Sequence, residues 1–561
     1  MADDEKRSAA AATATGSSAE PTTKTAGTIT ERRAVGASSS AAAMEALAPE
    51  AKQAAATEQS MTLWQAVKTY PHAIGWSVLL STTLIMEGYD LALLGNLYSS
   101  QVFSERYGEW VESDQKYQIS AAWQSGLSNG ARAGEVFGLI IAGWTADRWG
   151  AKRTTVGFLI MMILTIFVLF FAPNVKVLVV GEILCGIPWG AFQSVTPAYA
   201  SEVAPVVLRP YLTTFINACW VLGQFLAVAV CRGSVEREDQ WAYRIPFAMQ
   251  WLWPVLILAG LVWAPESPWW HVRKGNLPAA RASLARLTSP NQPGFSIDET
   301  LAMIEHTDAL ERSLKSGLGY RDCFRGADLR RTEIVVGIWI VQTLGGQNVM
   351  GYFSYFLFQA GLDTKNSLTL SLAQYALGLV GTFASWLLIQ RVGRRRIHFT
   401  GLCCQFVLLV VVGSLAFSRT TASVWAIGGL LIAFTFVYDI AVGPITYSLI
   451  SELSSTRLKA KTIVLARAAY NASNIFVNVM TNYQLSSSAW DWGAKTAFFW
   501  GGTCLCCCVW VFFRVPEPKG RTYAELDVLF EQGVPARQFS KTVVNPYTPE
   551  VVDDRKNSAA Q

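Results

Sequence analysis

Charge is what this 561-residue chain has little of. Lys, Arg, Asp and Glu together make up 16% of it, against ~25% in a typical soluble domain, and long interior stretches carry none. The net charge is only +5 and dispersed, which argues against a nucleic-acid binder. Histidine occurs four times, at positions 72, 271, 306 and 398. All four lie at the ends of apolar runs or between them, so a histidine proton relay is not expected. The ten cysteines form no disulfide framework. Cys185, Cys219, Cys403, Cys404, Cys504, Cys506, Cys507 and Cys508 sit inside apolar runs, where cysteine packs as a small hydrophobe. The Cys504–Cys508 cluster has no histidine near it and reads as packing, so no metal or cofactor is expected. P-loop and Ser-His-Asp signatures are also missing, and the chain is not read as an enzyme.

What the chain has in abundance is apolar residues, 51% of the total. A membrane helix needs ~20 of them, and twelve stretches qualify, near 73–98, 120–145, 154–172, 176–200, 211–231, 245–264, 334–359, 368–390, 397–417, 424–449, 462–484 and 494–513. The expected fold is an all-α membrane protein with twelve transmembrane helices in two six-helix parallel repeats. Residues 1–62 are Ala/Ser/Thr-rich without an apolar run, and are expected to be a disordered cytosolic tail. Residues 63–264 would form the first half, 265–333 a polar cytosolic linker with short helices, 334–514 the second half and 515–561 a cytosolic tail.

Orientation follows from Lys and Arg in short loops. Arg148, Lys152 and Arg153 follow the second stretch, Arg391, Arg394, Arg395 and Arg396 the eighth, and Arg457, Lys459 and Lys461 the tenth. The opposite loops dilute their basic residues with Glu105, Glu109, Glu112 and Asp114. Both termini are therefore expected in the cytosol. Three marks recur between the halves. Asp147-Arg148-Trp149-Gly150 answers to Gln390-Arg391-Val392-Gly393, an offset of 243 (147 to 390). Ser201-Glu202 answers to Ser451-Glu452, an offset of 250 (201 to 451), and Pro265-Glu266 to Pro516-Glu517, an offset of 251 (265 to 516). A near-constant offset with unchanged orientation means duplication into parallel repeats.

These marks carry a resemblance. Gly143-Trp144-Thr145-Ala146-Asp147-Arg148-Trp149-Gly150, Pro265-Glu266-Ser267-Pro268-Trp269-Trp270 and Pro516-Glu517-Pro518-Lys519-Gly520-Arg521-Thr522 make the chain, from about 70 to 530, similar to sugar porters of the major facilitator superfamily. Glu87-Gly88-Tyr89-Asp90, Gly181–Gly190 and Asp491-Trp492-Gly493-Ala494-Lys495-Thr496 resemble the fungal α-glucoside, maltose-type, permeases. The resemblance implies proton-coupled uptake of α-linked disaccharides across the plasma membrane, with sugar, protons and the lipid bilayer as the partners of a monomer. Three positions depart from the pattern. Ala151 stands where a basic residue is usual, Thr343 follows Gln342 where paired glutamines are common, and Glu182 stands where hexose-type members carry Arg. The acids and bases of the basic loops, Asp147, Arg148, Glu202 and Arg209 in one half and Arg391, Glu452 and Arg457 in the other, are candidates for a conformational gate. The alternative is plain topological anchoring.

A charge inside a bilayer costs ~2.5–3.5 kcal/mol on insertion scales and calls for a reason. Glu87 and Asp90, three apart on the first stretch, share a helix face, and Arg467 lies on the eleventh with Asn471, Asn474 and Asn478 at spacings of 4, 3 and 4. Glu87, Asp90 and Arg467 are the candidate proton-coupling set. The alternatives are a vestibular position for the two acids and an interfacial one for Arg467. Arg132 and Glu135, also on one face, read as a mutual pair. Sugar hydroxyls both donate and accept, as Asn and Gln do, and aromatic rings suit the C–H faces of the sugar. The candidate sugar contacts are Gln193, Asn217, Gln224, Gln342, Gln347, Asn348, Tyr352, Tyr447, Asn471 and Asn474. The family motif favours Gln342, Asn348 and Tyr352, and places Tyr447 at its Trp position. A facilitative uniporter or a non-transporting sensor on the same fold are the competing functions. The intramembrane charges argue against the first, and the short stretch after residue 514 against the second. The topology has a direct check: a tag at Gln561 is expected to be protected in intact cells and labelled only after permeabilisation.

Overall fold

The computed structural model describes residues 53–552 except 55–56, 59, 113–114, 206, 290–294, 316–318, 360–361, 419, 456–457, 487–488, 520, 522 and 546–547. The expected N-terminal tail lies almost wholly outside the described residues, as does Arg457. Twelve long helical segments follow one another: α1 (Pro71–Leu97), α2 (Ala121–Trp149), α3 (Ala151–Phe170), α4 (Val175–Val203), α5 (Arg209–Ser234), α6 (Trp241–Leu261), α7 (Gly326–Gly351, continued by Phe353–Gln359), α8 (Thr364–Arg391), α9 (Arg394–Leu415), α10 (Thr421–Leu453), α11 (Lys459–Leu485) and α12 (Gly493–Arg514). Proline at N1 opens α1, where its missing N–H costs nothing. Ten of the twelve are long and apolar enough to cross a membrane. The two that fall short are α2 and α11, the helices richest in interior polar side chains. They pack against each other across the two halves, and Asn478 donates to Asn129 (3.3 Å) and Asn482 to Ser125 (3.2 Å). Their polar faces are thereby removed from lipid.

The duplication is visible in the pairing. In the first half α1 packs on α5, α2 on α4 and α3 on α6; in the second α7 packs on α11, α8 on α10 and α9 on α12. The halves meet through α2 with α11 and α5 with α8, which are corresponding pairs with the roles exchanged. The α2–α4 crossing is close because small residues line it. A Cβ on Gly134 would lie 2.1 Å from the Ile183 carbonyl oxygen, one on Gly138 2.0 Å from that of Ile187, and one on Gly190 2.1 Å from that of Glu135.

Two helices break beside the centre. In α7 the turn Thr343–Gln347 widens to a π-helix in which Gly346 adopts φ +92°, a conformation open to glycine at little cost. In α10 the π-helical turn Tyr438–Val442 precedes Pro444, whose ring cannot accommodate a regular preceding turn. The sixth stretch is interrupted between Trp241–Met249 and Leu252–Leu261, and one boundary differs from the sequence reading. The seventh begins at Gly326 instead of 334, so its first two turns occupy positions read as linker. Those turns carry Asp328, Arg330, Arg331 and Glu333, and their partners come from far along the chain: Arg331 pairs with Asp527 and donates to the Leu453 carbonyl at 3.1 Å. Between α6 and α7 lie the helices Pro268–Arg273, Leu277–Leu287 and Ile297–Lys315.

The glycine crossing gives a test. Gly134→Val or Gly190→Val is expected to destabilise the fold by ~1–3 kcal/mol through overpacking and to shrink the monodisperse peak of detergent-extracted protein. Gly157→Val, where nothing lies within 4 Å of the added Cβ, should leave that peak intact.

Candidate central cavity and intramembrane charge network

A cavity lies between the halves. Asn217 and Gln224 of α5, Gln347 and Asn348 at the break in α7, Tyr352 just beyond it, and Asn474 of α11 line it, together with Asp90. The adjacent pair Gln347 and Asn348 both reach it because the π-turn rotates the backbone between them and the preceding helix. Four of the proposed contacts lie outside the lining. Gln193 is engaged with charges. Gln342 is buried beside the Tyr438 hydroxyl. Tyr447 packs edge-on against Trp339, ring centroids 5.1 Å apart. Asn471 is wholly buried, and neither amide atom is hydrogen-bonded among the described residues. Sequence reasoning passed over Trp220, Tyr438 and Tyr470, which also line the cavity. The available signal was position: Trp220 and Tyr470 each stand three residues, under one turn, beyond Asn217 and Arg467.

The charges form a chain. Gln193 Nε2 donates to Glu87 at 2.5 Å, and Arg467 Nε donates to the Gln193 side-chain oxygen at 2.7 Å. One glutamine thus joins a carboxyl of α1 to a guanidinium of α11, across the two halves. Trp220 Nε1 donates to the second Glu87 oxygen at 3.2 Å. Arg132 lies 3.5 Å from Glu87 and binds both Glu135 oxygens, at 2.8 and 2.9 Å. Arg467 is buried. It is 7% exposed, with its guanidinium 4.4 Å from the Tyr470 ring centroid and 4.6 Å from that of Trp339, distances at which cation–π attraction operates. Glu87 and Asp90 do not work as one face. Glu87 meets α2, α4 and α5, whereas Asp90 accepts from Gln250 of α6 at 2.7 Å.

At the end of the cavity where α1 stops and α2 begins, the halves are tied together. Tyr98 stacks on Tyr352, ring centroids 6.5 Å apart. Tyr352 shares a hydrogen bond with Ser128 (3.0 Å), Ser354 donates to Asn96 (2.6 Å) and Gln124 to the Tyr355 hydroxyl (3.4 Å). At the other, basic face, each half carries the same device. Glu266 accepts from the backbone N–H of Ala151 (3.0 Å) and Lys152 (3.2 Å), and Lys152 Nζ caps the Ala264 carbonyl (2.7 Å). Glu517 accepts from Arg395 N–H (3.1 Å), and the Arg395 guanidinium caps the Phe512 carbonyl (2.7 Å). Burial pushes the Glu266 carboxyl up, against the pull of its backbone donors. The acids of the expected gate meet other cations than those proposed. Glu202 pairs with Arg273 (2.7 Å), and Glu452 with Arg394 (3.1 Å). Arg148 lies over the Trp144 ring (5.8 Å), Arg209 Nε donates to the Ala204 carbonyl (3.2 Å), Asp147 offers its own carbonyl to Trp270 (3.2 Å), and the Arg391 carbonyl accepts from Lys519 (2.9 Å). The reason is that the cations nearest in space come from the helix after Ser267 and from the start of α9, which the loop spacing could not reveal.

With this geometry in hand, comparison places the molecule. A profile described as sugar (and other) transporter matches residues 76–530, and the chain belongs to that family. It is 41% identical to a maltose permease of Saccharomyces cerevisiae over 503 residues, 89% of this chain and 82% of that protein. It is 42% identical to a general alpha-glucoside permease of the same yeast over the same shares. Among solved structures it resembles the major facilitator superfamily proton:xylose symporter XylE bound to 6-bromo-6-deoxy-D-glucose, with a TM-score of 0.69, 19% identity and coverage of 82% of this chain and 99% of that one. The fold is that of the major facilitator superfamily, and the protein is a membrane transporter, not an enzyme.

The cavity separates the candidate contacts by experiment. Asn348→Ala or Asn474→Ala, each removing a hydrogen-bonding group worth ~1–3 kcal/mol when buried, is expected to raise the apparent KM for labelled sugar roughly 5- to 150-fold. Tyr447→Phe, outside the lining, should change KM far less. Uptake kinetics at matched surface expression decide.

Proposed function

We propose that the protein is a proton-coupled symporter that imports α-glucosides of the maltose type across the plasma membrane by alternating access. The observation that carries this reading is the Glu87–Gln193–Arg467 chain. It spans the two halves beside the cavity, so a proton arriving on the acid would alter the contact between them. A carrier that only equilibrates its substrate has no need of such buried charges. The yeast relatives named as maltose and alpha-glucoside permeases support the substrate class. The amide-and-tyrosine lining suits a polyhydroxylated solute.

On this reading the basic face is cytosolic, both termini lie in the cytosol, and the tyrosine cluster closes the cavity toward the outside. Residues 63–264 and 326–514 form the two moving halves, 265–325 links them, and 1–62 and 515–561 are the cytosolic tails. Each chain contains a complete cavity, so a monomer suffices. Asn217, Gln224, Gln347, Asn348, Tyr352 and Asn474 contact the sugar. Glu87, Asp90 and Arg467 couple it to the proton, and Glu202 with Arg273 and Glu452 with Arg394 brace the cytosolic ends of each half.

The test is sugar-induced alkalinisation of an unbuffered suspension of transporter-null yeast expressing the protein. Maltose should alkalinise the medium in the wild type. Glu87→Gln with Asp90→Asn should abolish the signal and uphill accumulation while leaving downhill exchange. Arg467→Ala should be worse, because Glu87 is then left buried beside an unanswered amide. Wild-type-like alkalinisation by the double variant would remove these carboxylates from the coupling path.

A further inference from the structure

Glu182 of α4 has no part in the network described so far. It is fully buried, and neither carboxyl oxygen receives a hydrogen bond from an N–H or hydroxyl among the described residues. Its carboxyl lies within hydrogen-bonding reach of the Asp90 carboxyl on α1. Asp90 is equally buried. Gln250 satisfies its Oδ1 at 2.7 Å, while Oδ2 has no donor. Ionised carboxylates are acceptors only. Two of them face to face, away from water, repel and leave three oxygens without a donor. A proton between them supplies the donor and removes half of the charge.

The other groups around the pair do not relieve it. From α2 come Arg132 and Glu135, already bound to each other. Tyr89 and Tyr98 of α1 and Cys185 of α4 complete the titratable surroundings. Among the described residues no salt bridge reaches Glu182.

We propose that Asp90 and Glu182 form a carboxyl dyad that shares a proton, and that Glu182 thereby sets the proton concentration at which the transporter works. The proposal rests on the proton-symport reading. Asp90 lines the cavity and Glu182 does not, so Asp90 is the point of exchange. The loaded dyad holds one proton and one negative charge. Loss of that O–H proton from Asp90 to cavity water leaves two facing carboxylates, whose repulsion favours its return. No other bond changes.

Glu182→Gln keeps the size, cannot titrate, and offers Asp90 a permanent N–H donor. It removes the repulsion that favours the protonated acid. The proton concentration that half-activates sugar uptake should therefore rise about tenfold or more, about one pH unit toward acid. Glu182→Asp, which keeps the dyad, should stay close to wild type. In purified protein reconstituted in liposomes, infrared difference spectroscopy should show a protonated-carboxyl C=O stretch that Glu182→Asp shifts in frequency and that Glu182→Gln makes appear only about one pH unit further toward acid. An unchanged half-activating concentration in Glu182→Gln, or a band untouched by both substitutions, overturns the dyad. If wild type shows no sugar-induced alkalinisation, the symport reading fails instead, and the infrared band alone decides whether the dyad exists.

Discussion

The constraint on which the rest of this structure depends is the burial of Arg467. A guanidinium away from water is tolerable only with counter-charge close by. Here it rests on the rings of Trp339, Tyr470 and Trp220 and donates to Gln193, which passes the interaction to Glu87. Because the acid belongs to one half and the cation to the other, electrostatic balance and the fit of the halves are one problem. A change of charge on Glu87 cannot be absorbed locally. It has to be met by a shift of Gln193, of Arg467 or of the Arg132–Glu135 pair beside them.

Such a network requires close backbones. The glycines that interleave α2 with α4 bring Arg132, Glu135 and Gln193 within reach of α1. The π-turns in α7 and α10 redirect side chains toward the cavity at the positions where a regular helix would carry them past it. The basic face is built on a second logic. Each half ends its last helix on a carboxylate, Glu266 after α6 or Glu517 after α12, which receives free N–H groups opening the third helix of that half, α3 or α9. At Gly150 and Gly393 there is room for that carboxylate only because no Cβ intervenes. The loop signatures thus mark places where a helix N-terminus and the acid three helices further on are locked together, while Glu202 holds Arg273 and Glu452 holds Arg394.

Much of this was legible in the residue order. Hydropathy and repeat spacing are local properties, and they located twelve helices, two parallel halves and the polar stripe Asn474–Asn478 that faces the cavity. The buried charges announced themselves because an apolar run makes any Glu or Arg conspicuous. The first turns of α7 were not legible, since the partners that make Arg331 buriable lie at 453 and 527, far beyond any periodicity. The aromatic lining was equally hidden, because Trp220, Tyr438 and Tyr470 sit in runs already rich in large apolar side chains.

The sequence alone determined that the chain is a duplicated bundle of membrane-length helices with costly charges on its first, second, fourth and eleventh members, since length, composition and spacing suffice for that. Which charge faces which was decided only by the tertiary structure. Glu87 and Asp90 are neighbours on one helix by their spacing, yet the packing of α2, α4, α5 and α6 around α1 sends the first toward Gln193, Trp220 and Arg132 and the second toward Gln250 and Glu182. A three-residue spacing leaves two side chains about 60° apart around a helix of 3.6 residues per turn. That angle is small on paper and wide enough, in a close-packed bundle, to give each acid a different set of neighbours.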